Sequence, residues 1–155
     1  METKKICAFF GHREIEKTNE LYQKTYDEIV KVINLGCVNF YFGGYGEFDE
    51  LCYQIVSKIK LSNPNLNITR TYCVSQEKFL YKKVRFFNKE NYENVIYLTP
   101  SFDGWYQSIY FRNLAMIDVC DFIIFYVTRI TNSGAYKAYQ YAIKQKDKVV
   151  INIAN

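Results

Sequence analysis

Residues 38–51 have the sequence VNFYFGGYGEFDEL, and the predicted fold is arranged around this stretch. The pattern predicts an apolar β-strand over residues 38–42, then a glycine-rich turn, then the beginning of a helix. Three glycines within residues 43–46 remove side-chain bulk, so backbone N–H groups can approach a ligand closely. The helix N-terminus adds unpaired N–H groups and a partial positive charge. This stretch therefore predicts a site for phosphate or another anion.

The spacing of these glycines does not identify the anion. The order G-G-x-G is neither the dinucleotide fingerprint G-x-G-x-x-G nor a P-loop, because no Gly-Lys-Ser/Thr follows. A tight strand-to-helix turn without a ligand would explain the same glycines. We favour ligand binding because three of the seven glycines of the chain fall in this one turn.

The composition is that of one globular domain. The chain has 155 residues, of which 49% are hydrophobic and 23% charged, and its net charge is +4. A denser basic stretch at residues 78–89 falls on a predicted helix, where a solvated face is the usual explanation and nucleic-acid binding the less favoured one. The 15 Tyr and 12 Phe are suited to a pocket or a homo-oligomer interface, but the composition bias of an A·T-rich genome is the favoured explanation.

Five cysteines are scattered along the chain without a C-x-x-C spacing. The spacing excludes a zinc site, and the odd total argues against a secreted disulfide framework. Small buried thiols in a reducing compartment are therefore predicted. No signal peptide is recognised, and the longest apolar run, residues 122–127, is too short to cross a bilayer. These features predict a cytoplasmic protein with no metal, no cofactor and no membrane partner.

Predicted strands and helices alternate along the chain. Strands are predicted over residues 5–10, 38–42, 67–74, 95–99, 122–127 and 149–153. Helices are predicted over residues 18–34, from the glycine turn to residue 63, and over residues 76–91, 106–119 and 133–146, with a loop at 102–105. Such alternation predicts an α/β fold with a doubly wound, mostly parallel sheet and helices on both faces. The whole chain, residues 1–155, is expected to form a single domain of this kind.

Three turns that follow predicted strands are expected to meet. They occupy residues 11–13, 43–46 and 131–134. In doubly wound sheets, ligands bind at the carboxyl ends of the strands, near the reversal of strand order. The residues expected to bind the ligand are Gly11, His12, Arg13, Gly43, Gly44, Tyr45, Gly46, Asp49, Arg112, Asn113, Ser133 and Gly134. If the protein is an enzyme, the expected catalytic residues are Arg112, Glu47 and Glu50.

The first turn contains two candidates that also have structural explanations. His12 is the only histidine, and a lone histidine is more often a local hydrogen-bonding residue than a ligand contact. Arg13 offers a bidentate fork to a phosphate, or else forms a surface salt bridge with Glu14 or Glu16.

The remaining candidates are also open to two explanations. Arg112 lies among apolar residues, and we favour a ligand role over a buried structural arginine paired with Asp118. Asp49 lies in the first turn of a helix, where stabilisation by the helix dipole is the structural explanation. The functional explanation is a contact with a ribose hydroxyl. Ser133 and Gly134 are explained equally well as a helix cap and turn.

Four segments in this order resemble the SLOG superfamily, which is named for the DNA-processing Smf/DprA proteins and the LOG (Lonely Guy) hydrolases. They are CAFFGHR at 7–13, GGYGEFD at 43–49, YFRNLAMID at 110–118, and Ser133-Gly134 before a helix. The GHR opening and the R-N-x-x-M-x-D segment are most similar to the small YpsA-like branch of that superfamily.

The resemblance implies a Rossmann-like fold that binds nucleotides or derivatives such as ADP-ribose. In LOG enzymes, an Arg in a segment like 111–113 acts with a Glu inside P-G-G-x-G-T-x-x-E to cleave the bond between a base and ribose 5′-phosphate. Arg112 matches that arginine. Ala135 replaces the Thr of the second motif, and Ala138 stands where its Glu would be.

Three functions follow from these observations. The favoured one is a module that binds a nucleotide-derived small molecule as a sensor or by sequestering it, including as a phage or mobile-element decoy. The alternative is an N-glycosidic-bond hydrolase in which Glu47, Asp49 or Glu50 replaces the missing Glu. The third is binding of single-stranded nucleic acid, which the modest net charge makes unlikely.

Overall fold

Six parallel strands form one sheet in the computed structural model of the chain, whose described residues are 4–75, 89–98, 105–128 and 133–155. The strands are β1 (Ile6–Gly11), β2 (Asn39–Phe42), β3 (Thr69–Cys73), β4 (Asn94–Ile96), β5 (Phe122–Tyr126) and β6 (Val149–Asn152). Their order in the sheet is β4-β3-β2-β1-β5-β6, and every neighbouring pair is parallel. The predicted α/β fold class with a parallel sheet is confirmed.

Four α-helices accompany the sheet in the described part of the chain. They are α1 (Asn19–Asn34), α2 (Glu47–Ser62), α3 (Trp105–Val119) and α4 (Gly134–Ile143). Thr18 caps α1 because its side chain accepts the Leu21 N–H at 3.1 Å, and Ser133 caps α4 by accepting the Tyr136 N–H at 3.2 Å. None of these helices is both long enough and apolar enough to cross a bilayer.

Three sequence predictions about helices and loops need correction or fall outside the described residues. Helix α4 ends at Ile143 and not at residue 146. The predicted helix over residues 76–91 lies mostly outside the described residues, and its described end, Lys89–Asn91, is a 3-10 turn. Of the predicted loop at 102–105, only Trp105 is described, and it begins α3.

Helices cover both faces of the sheet, and β1 is therefore buried on both sides. Cys7 and Phe9 pack in one apolar cluster with residues of α1 and α2, whereas Ala8 and Phe10 pack in a second cluster with residues of α3 and α4. A strand buried on both sides has a continuous apolar sequence, as β1 does. All five cysteines are buried and free of disulfides, which confirms their prediction as buried thiols.

The strand order reverses between β1 and β5. From β1 the chain adds β2, β3 and β4 on one side, and then returns to place β5 and β6 on the other side. The carboxyl ends of β1 and β5 therefore flank the crevice in which doubly wound folds bind their ligands. Gly11 is paired with Tyr126 at these two strand ends.

We predict that Gly11→Ala destabilises the protein by about 1–3 kcal/mol. A Cβ atom at this position would lie 2.4 Å from Cδ2 of Phe48, a fully buried side chain that cannot move aside. Gly134→Ala is the matched control, because no atom lies within 4 Å of the Cβ it would add. Urea unfolding of the wild type, Gly11→Ala and Gly134→Ala measures the difference. Equal free energies of unfolding would contradict the close packing of Gly11 against Phe48.

Candidate functional site

A cavity of about 280 Å³ lies at the carboxyl ends of β1 and β2. Its described lining is Phe9, Phe10, Gly11, His12, Arg13, Gly43, Tyr45, Asp49, Ile109, Arg112, Asn113, Ser133, Gly134 and Ala135. The structure thus gathers ten of the twelve residues predicted to bind a ligand, all except Gly44 and Gly46. Residues 131 and 132 of the third turn lie outside the described part of the chain.

The glycine-rich turn folds around a carboxylate of the chain itself. Gly44, at a φ of +73°, donates its N–H to Oδ2 of Asp49 at 2.7 Å. A Cβ atom on Gly44 would lie 2.4 Å from Cε1 of Tyr72, and one on Gly43 would lie 2.9 Å from Nη2 of Arg112. The expectation that this turn presents its N–H groups to an external anion therefore needs correction for Gly44, because Asp49 already accepts that hydrogen bond.

Asp49 is the acidic side chain that the structure places in the cavity wall. It is only 5% exposed, and its Oδ1 atom has no hydrogen-bond partner among the described residues. Burial raises the pKa of this carboxyl from 3.8 to about 7. The Gly44 N–H, the charge of Arg112 and the backbone N–H groups of Tyr45 and Gly43 act in the opposite direction. Asp49 is therefore present in both the neutral and the charged form near pH 7.

Arg112 is a buried arginine that joins α3 to two strand ends. Its Nη1 atom donates to the carbonyl oxygens of Gly43 at 2.5 Å and of Cys73 at 3.0 Å, and its Nε donates to Oδ1 of Asn113 at 3.0 Å. Burial lowers the pKa of the guanidinium from its ordinary value. These bonds give Arg112 a structural role at the edge of the cavity.

The pairing of Arg112 with Asp118 that the sequence left open is not formed. Asp118 lies on the exposed side of α3 and accepts a hydrogen bond from the Tyr141 hydroxyl at 2.6 Å. Residues six positions apart on a helix lie on different faces, which explains the separation. The carboxylate that interacts electrostatically with Arg112 is Asp49.

His12 joins the ends of the two strands at the reversal of strand order. Its Nε2 atom accepts the Thr128 N–H at 2.9 Å and lies 3.1 Å from Oγ1 of the same residue. Since Nε2 accepts a hydrogen bond from the backbone N–H, this contact requires the tautomer in which Nε2 carries no hydrogen. The side chain, which is buried, therefore fixes the position of the segment that follows β5.

Arg13 and Tyr45 form a pair at the mouth of the cavity. The guanidinium carbon of Arg13 lies 5.1 Å from the centre of the Tyr45 ring, within the range of a cation–π interaction. The backbone also connects the two turns, because the Glu47 N–H donates to the Arg13 carbonyl at 2.8 Å. Arg13 is exposed, so its guanidinium faces solvent at the cavity entrance.

The two carboxylates predicted to be catalytic do not reach this cavity. Glu47 and Glu50 line a separate groove of about 160 Å³. Glu47 accepts the Ile15 N–H at 2.9 Å and pairs with Lys17 at 3.5 Å. The helix explains this correction, because Glu47 and Glu50 are three residues apart and share one face of α2, whereas Asp49 lies on the face that is buried.

The N-terminus of α4 opens into the same cavity. Ser133, Gly134 and Ala135 line it, so the positive end of a ten-residue helix is directed toward any ligand there. Ala138, one turn further along α4, is 2% exposed and packs in the apolar cluster with α3. The methyl group at this position is therefore part of the core and not of the cavity lining.

Four lining residues were not among the predicted ligand-binding residues, namely Phe9, Phe10, Ile109 and Ala135. Ile109 lies one helical turn before Arg112 and therefore on the same face of α3, a spacing that could have indicated it. The sequence pattern predicts Phe9 and Phe10 as core residues of a strand, and nothing in that pattern indicates a cavity. Among the described residues, no group of three or more His, Cys, Asp or Glu could hold a metal ion.

Comparison with known proteins identifies solved structures that share this fold. No model of a known protein family matches the chain, and no curated protein matches it in sequence. The structure is similar to that of DNA processing protein A from Helicobacter pylori, described for its single-stranded DNA binding mode, with 18% identity and a TM-score of 0.62. That match covers 96% of this chain and 65% of the other, so the chain spans about two thirds of the length of this DprA protein.

A second similar structure is TM1055, solved as a structural-genomics target. It has 13% identity and a TM-score of 0.56, and the match covers 94% of this chain and 76% of the other. Both likenesses show the doubly wound α/β fold that the sequence resemblance predicted. The match to a DprA protein at 18% identity shows a shared fold, and the resemblance to the SLOG superfamily and its YpsA-like branch stays a prediction from the sequence.

We predict that the stability of the protein falls between about pH 4 and pH 7 because of Asp49. Its pKa is higher in the folded chain than in the unfolded one, so the folded state binds the proton more tightly and loses stability as the pH rises. The contribution is at most about 1.4 kcal/mol per pH unit. In Asp49→Asn this slope is removed, because the amide does not titrate. Urea unfolding at pH 5, 6, 7 and 8 measures the effect, and parallel curves for the two proteins would contradict it.

Proposed function

We propose that the cavity binds a nucleotide or a nucleotide-derived small molecule, of the ADP-ribose, NAD or cyclic-nucleotide type, as a sensor or sequestering module. The observation that supports this most strongly is the position of the cavity, which joins the strand ends at the reversal of strand order with the N-terminus of α4. A helix N-terminus at this place is suited to a phosphate group.

The phosphate is assigned to α4. Ser133 caps this helix, and the absence of a side chain at Gly134 lets a ligand approach the N–H groups of the first turn. Arg13 lies across the cavity mouth and offers a planar fork that binds phosphate oxygens in pairs. The Gly44 N–H is not needed for this contact, because Asp49 accepts it.

The apolar part of the cavity is assigned to the rest of the ligand. Phe9, Phe10 and Ile109 provide an apolar wall, and Tyr45 provides an aromatic ring near the entrance. The volume of about 280 Å³ is close to the lower limit of roughly 300 Å³ for small-molecule sites. This size favours a mononucleotide, or one nucleotide half of a larger molecule, in the cavity.

A thermal-shift screen with AMP, cyclic AMP, ADP-ribose and NAD tests the proposal. A ligand at 100 times its dissociation constant stabilises the folded state by about 2.7 kcal/mol. For a chain of this size, that corresponds to a rise in Tm of roughly 5–10 °C. A panel that leaves the Tm unchanged at saturating concentrations would overturn the proposal.

We predict that Ala135→Asp abolishes this shift. The new carboxylate would lie in the cavity at the first turn of α4, where it repels a phosphate but interacts favourably with the helix dipole. Lys137→Gln is the matched control, because it lowers the net charge of the same turn by one unit, as Ala135→Asp does, but on the exposed side. Loss of ligand binding in both variants would show a general charge effect and not a phosphate site at the cavity.

Hydrolysis of an N-glycosidic bond is the second candidate function. The observation that favours it is the carboxyl of Asp49, which lies in the cavity wall and has a pKa of about 7, a value suited to proton transfer at neutral pH. Mass spectrometry of each stabilising ligand after incubation separates the two functions. A ligand recovered intact indicates binding alone, and released base that depends on Asp49 indicates an enzyme.

Binding of single-stranded DNA is a third candidate, favoured by the structural likeness to the DprA protein. The basic stretch at residues 78–89 lies, apart from Lys89, outside the described residues. Fluorescence anisotropy with a labelled oligonucleotide at several salt concentrations tests it, because phosphate contacts make the affinity fall steeply with salt. An affinity that does not change with salt would exclude this candidate.

A further inference from the structure

One carboxylate oxygen in the cavity wall has no hydrogen-bond partner among the residues that the structure describes. It is Oδ1 of Asp49, a side chain that is 5% exposed, whereas Oδ2 accepts the Gly44 N–H. A buried polar atom without a partner is destabilising, and such atoms are rare outside functional sites. We propose that Oδ1 of Asp49 binds a ribose hydroxyl of the ligand, so that the cavity prefers ribonucleotides to deoxyribonucleotides. This inference rests on the function proposed above.

The carboxyl group is held in a fixed orientation. Asp49 lies in the first turn of α2, and the Gly44 N–H holds Oδ2 at 2.7 Å. A group that is held on a rigid element loses little conformational freedom when a ligand binds. Asp49 is therefore suited to select between ligands that differ by one hydrogen-bonding group.

The charges around Asp49 favour a neutral partner. The Arg112 guanidinium is close enough to lower the pKa of Asp49, so it compensates part of the carboxylate charge and weakens the attraction of Oδ1 for a cationic group. The carboxylate itself would repel a phosphate. A neutral donor, either a hydroxyl or an amino group of a base, is the partner that is compatible with the charges of both Asp49 and Arg112.

A hydroxyl fits better than an amino group because of the titration of Asp49. With a pKa of about 7, the side chain is present both as a carboxylate and as a carboxylic acid at neutral pH. A hydroxyl donates to the first form and accepts from the second, whereas the amino group of a base only donates. A ribose hydroxyl therefore retains its hydrogen bond in both forms.

The phosphate and the hydroxyl would be held from opposite sides. Helix α2 packs on the face of the sheet that carries α1, and α4 packs on the face that carries α3. Asp49 and the N-terminus of α4 therefore enter the cavity from different layers of the fold. A ligand with a phosphate at one end and a sugar hydroxyl away from it, as in a nucleoside monophosphate, matches this arrangement.

Isothermal titration with AMP, 2′-deoxy-AMP and 3′-deoxy-AMP tests the inference. We expect wild-type protein to bind at least one deoxy analogue about 10-fold or more weakly than AMP, as the loss of a hydrogen bond to a charged group requires. In Asp49→Ala, the ratio of the dissociation constant of that deoxy analogue to the dissociation constant of AMP falls to about one. Asp49→Asn, which keeps an acceptor for the Gly44 N–H, guards against a folding defect and lowers the ratio below that of the wild type.

Glu50→Gln is the matched control, because Glu50 is one residue away but lines the separate groove. It should keep the wild-type ratio. If wild-type protein binds all three nucleotides equally, the inference is overturned while the proposed function stands. A ratio unchanged in both Asp49 variants also overturns it. If none of the three binds, the inference fails, and the thermal-shift screen decides the proposed function separately.

Discussion

The buried guanidinium of Arg112 holds together the part of the structure on which the cavity depends. It donates to the carbonyl groups at the ends of β2 and β3, at Gly43 and Cys73, and thereby attaches α3 to the edge of the sheet. A charge that is 3% exposed requires such partners, because an unpaired buried charge is strongly destabilising. Gly43 has no side chain at the point where the guanidinium approaches most closely, so the glycine turn and the arginine require each other.

The same turn also holds the carboxylate that faces the arginine. Asp49 is bound by the Gly44 N–H, and its charge and that of Arg112 partly compensate each other inside the protein. Glycine-rich turns before a helix are usually interpreted as sites for an external anion. The anion that this turn binds is the Asp49 carboxylate of the chain itself. The positive helix end that opens into the cavity belongs to α4 instead.

Much of the fold could be predicted because local pattern and tertiary packing agree. The apolar run before Gly11 and the helical spacing from residue 18 to residue 34 correspond closely to β1 and α1, since a strand buried on both faces and a helix buried on one have distinct periods. Glu47 and Glu50 were expected in the site but face another groove, whereas Asp49 faces the cavity. The direction of a side chain near a helix end depends on how the helix packs, and a sequence pattern of three acids in four residues does not contain that information.

The sequence by itself determined the alternation of strands and helices, the positions of the turns that follow β1 and β2, and the presence of one arginine among apolar residues, because these depend on local periodicity and on residue type. The tertiary structure alone decided which groups meet. It paired Arg112 with two carbonyl groups and not with Asp118, gave the Gly44 N–H to Asp49, and aimed α4 at the cavity. These outcomes depend on distances between residues far apart in the chain, which are set when the sheet assembles and the helices pack on it.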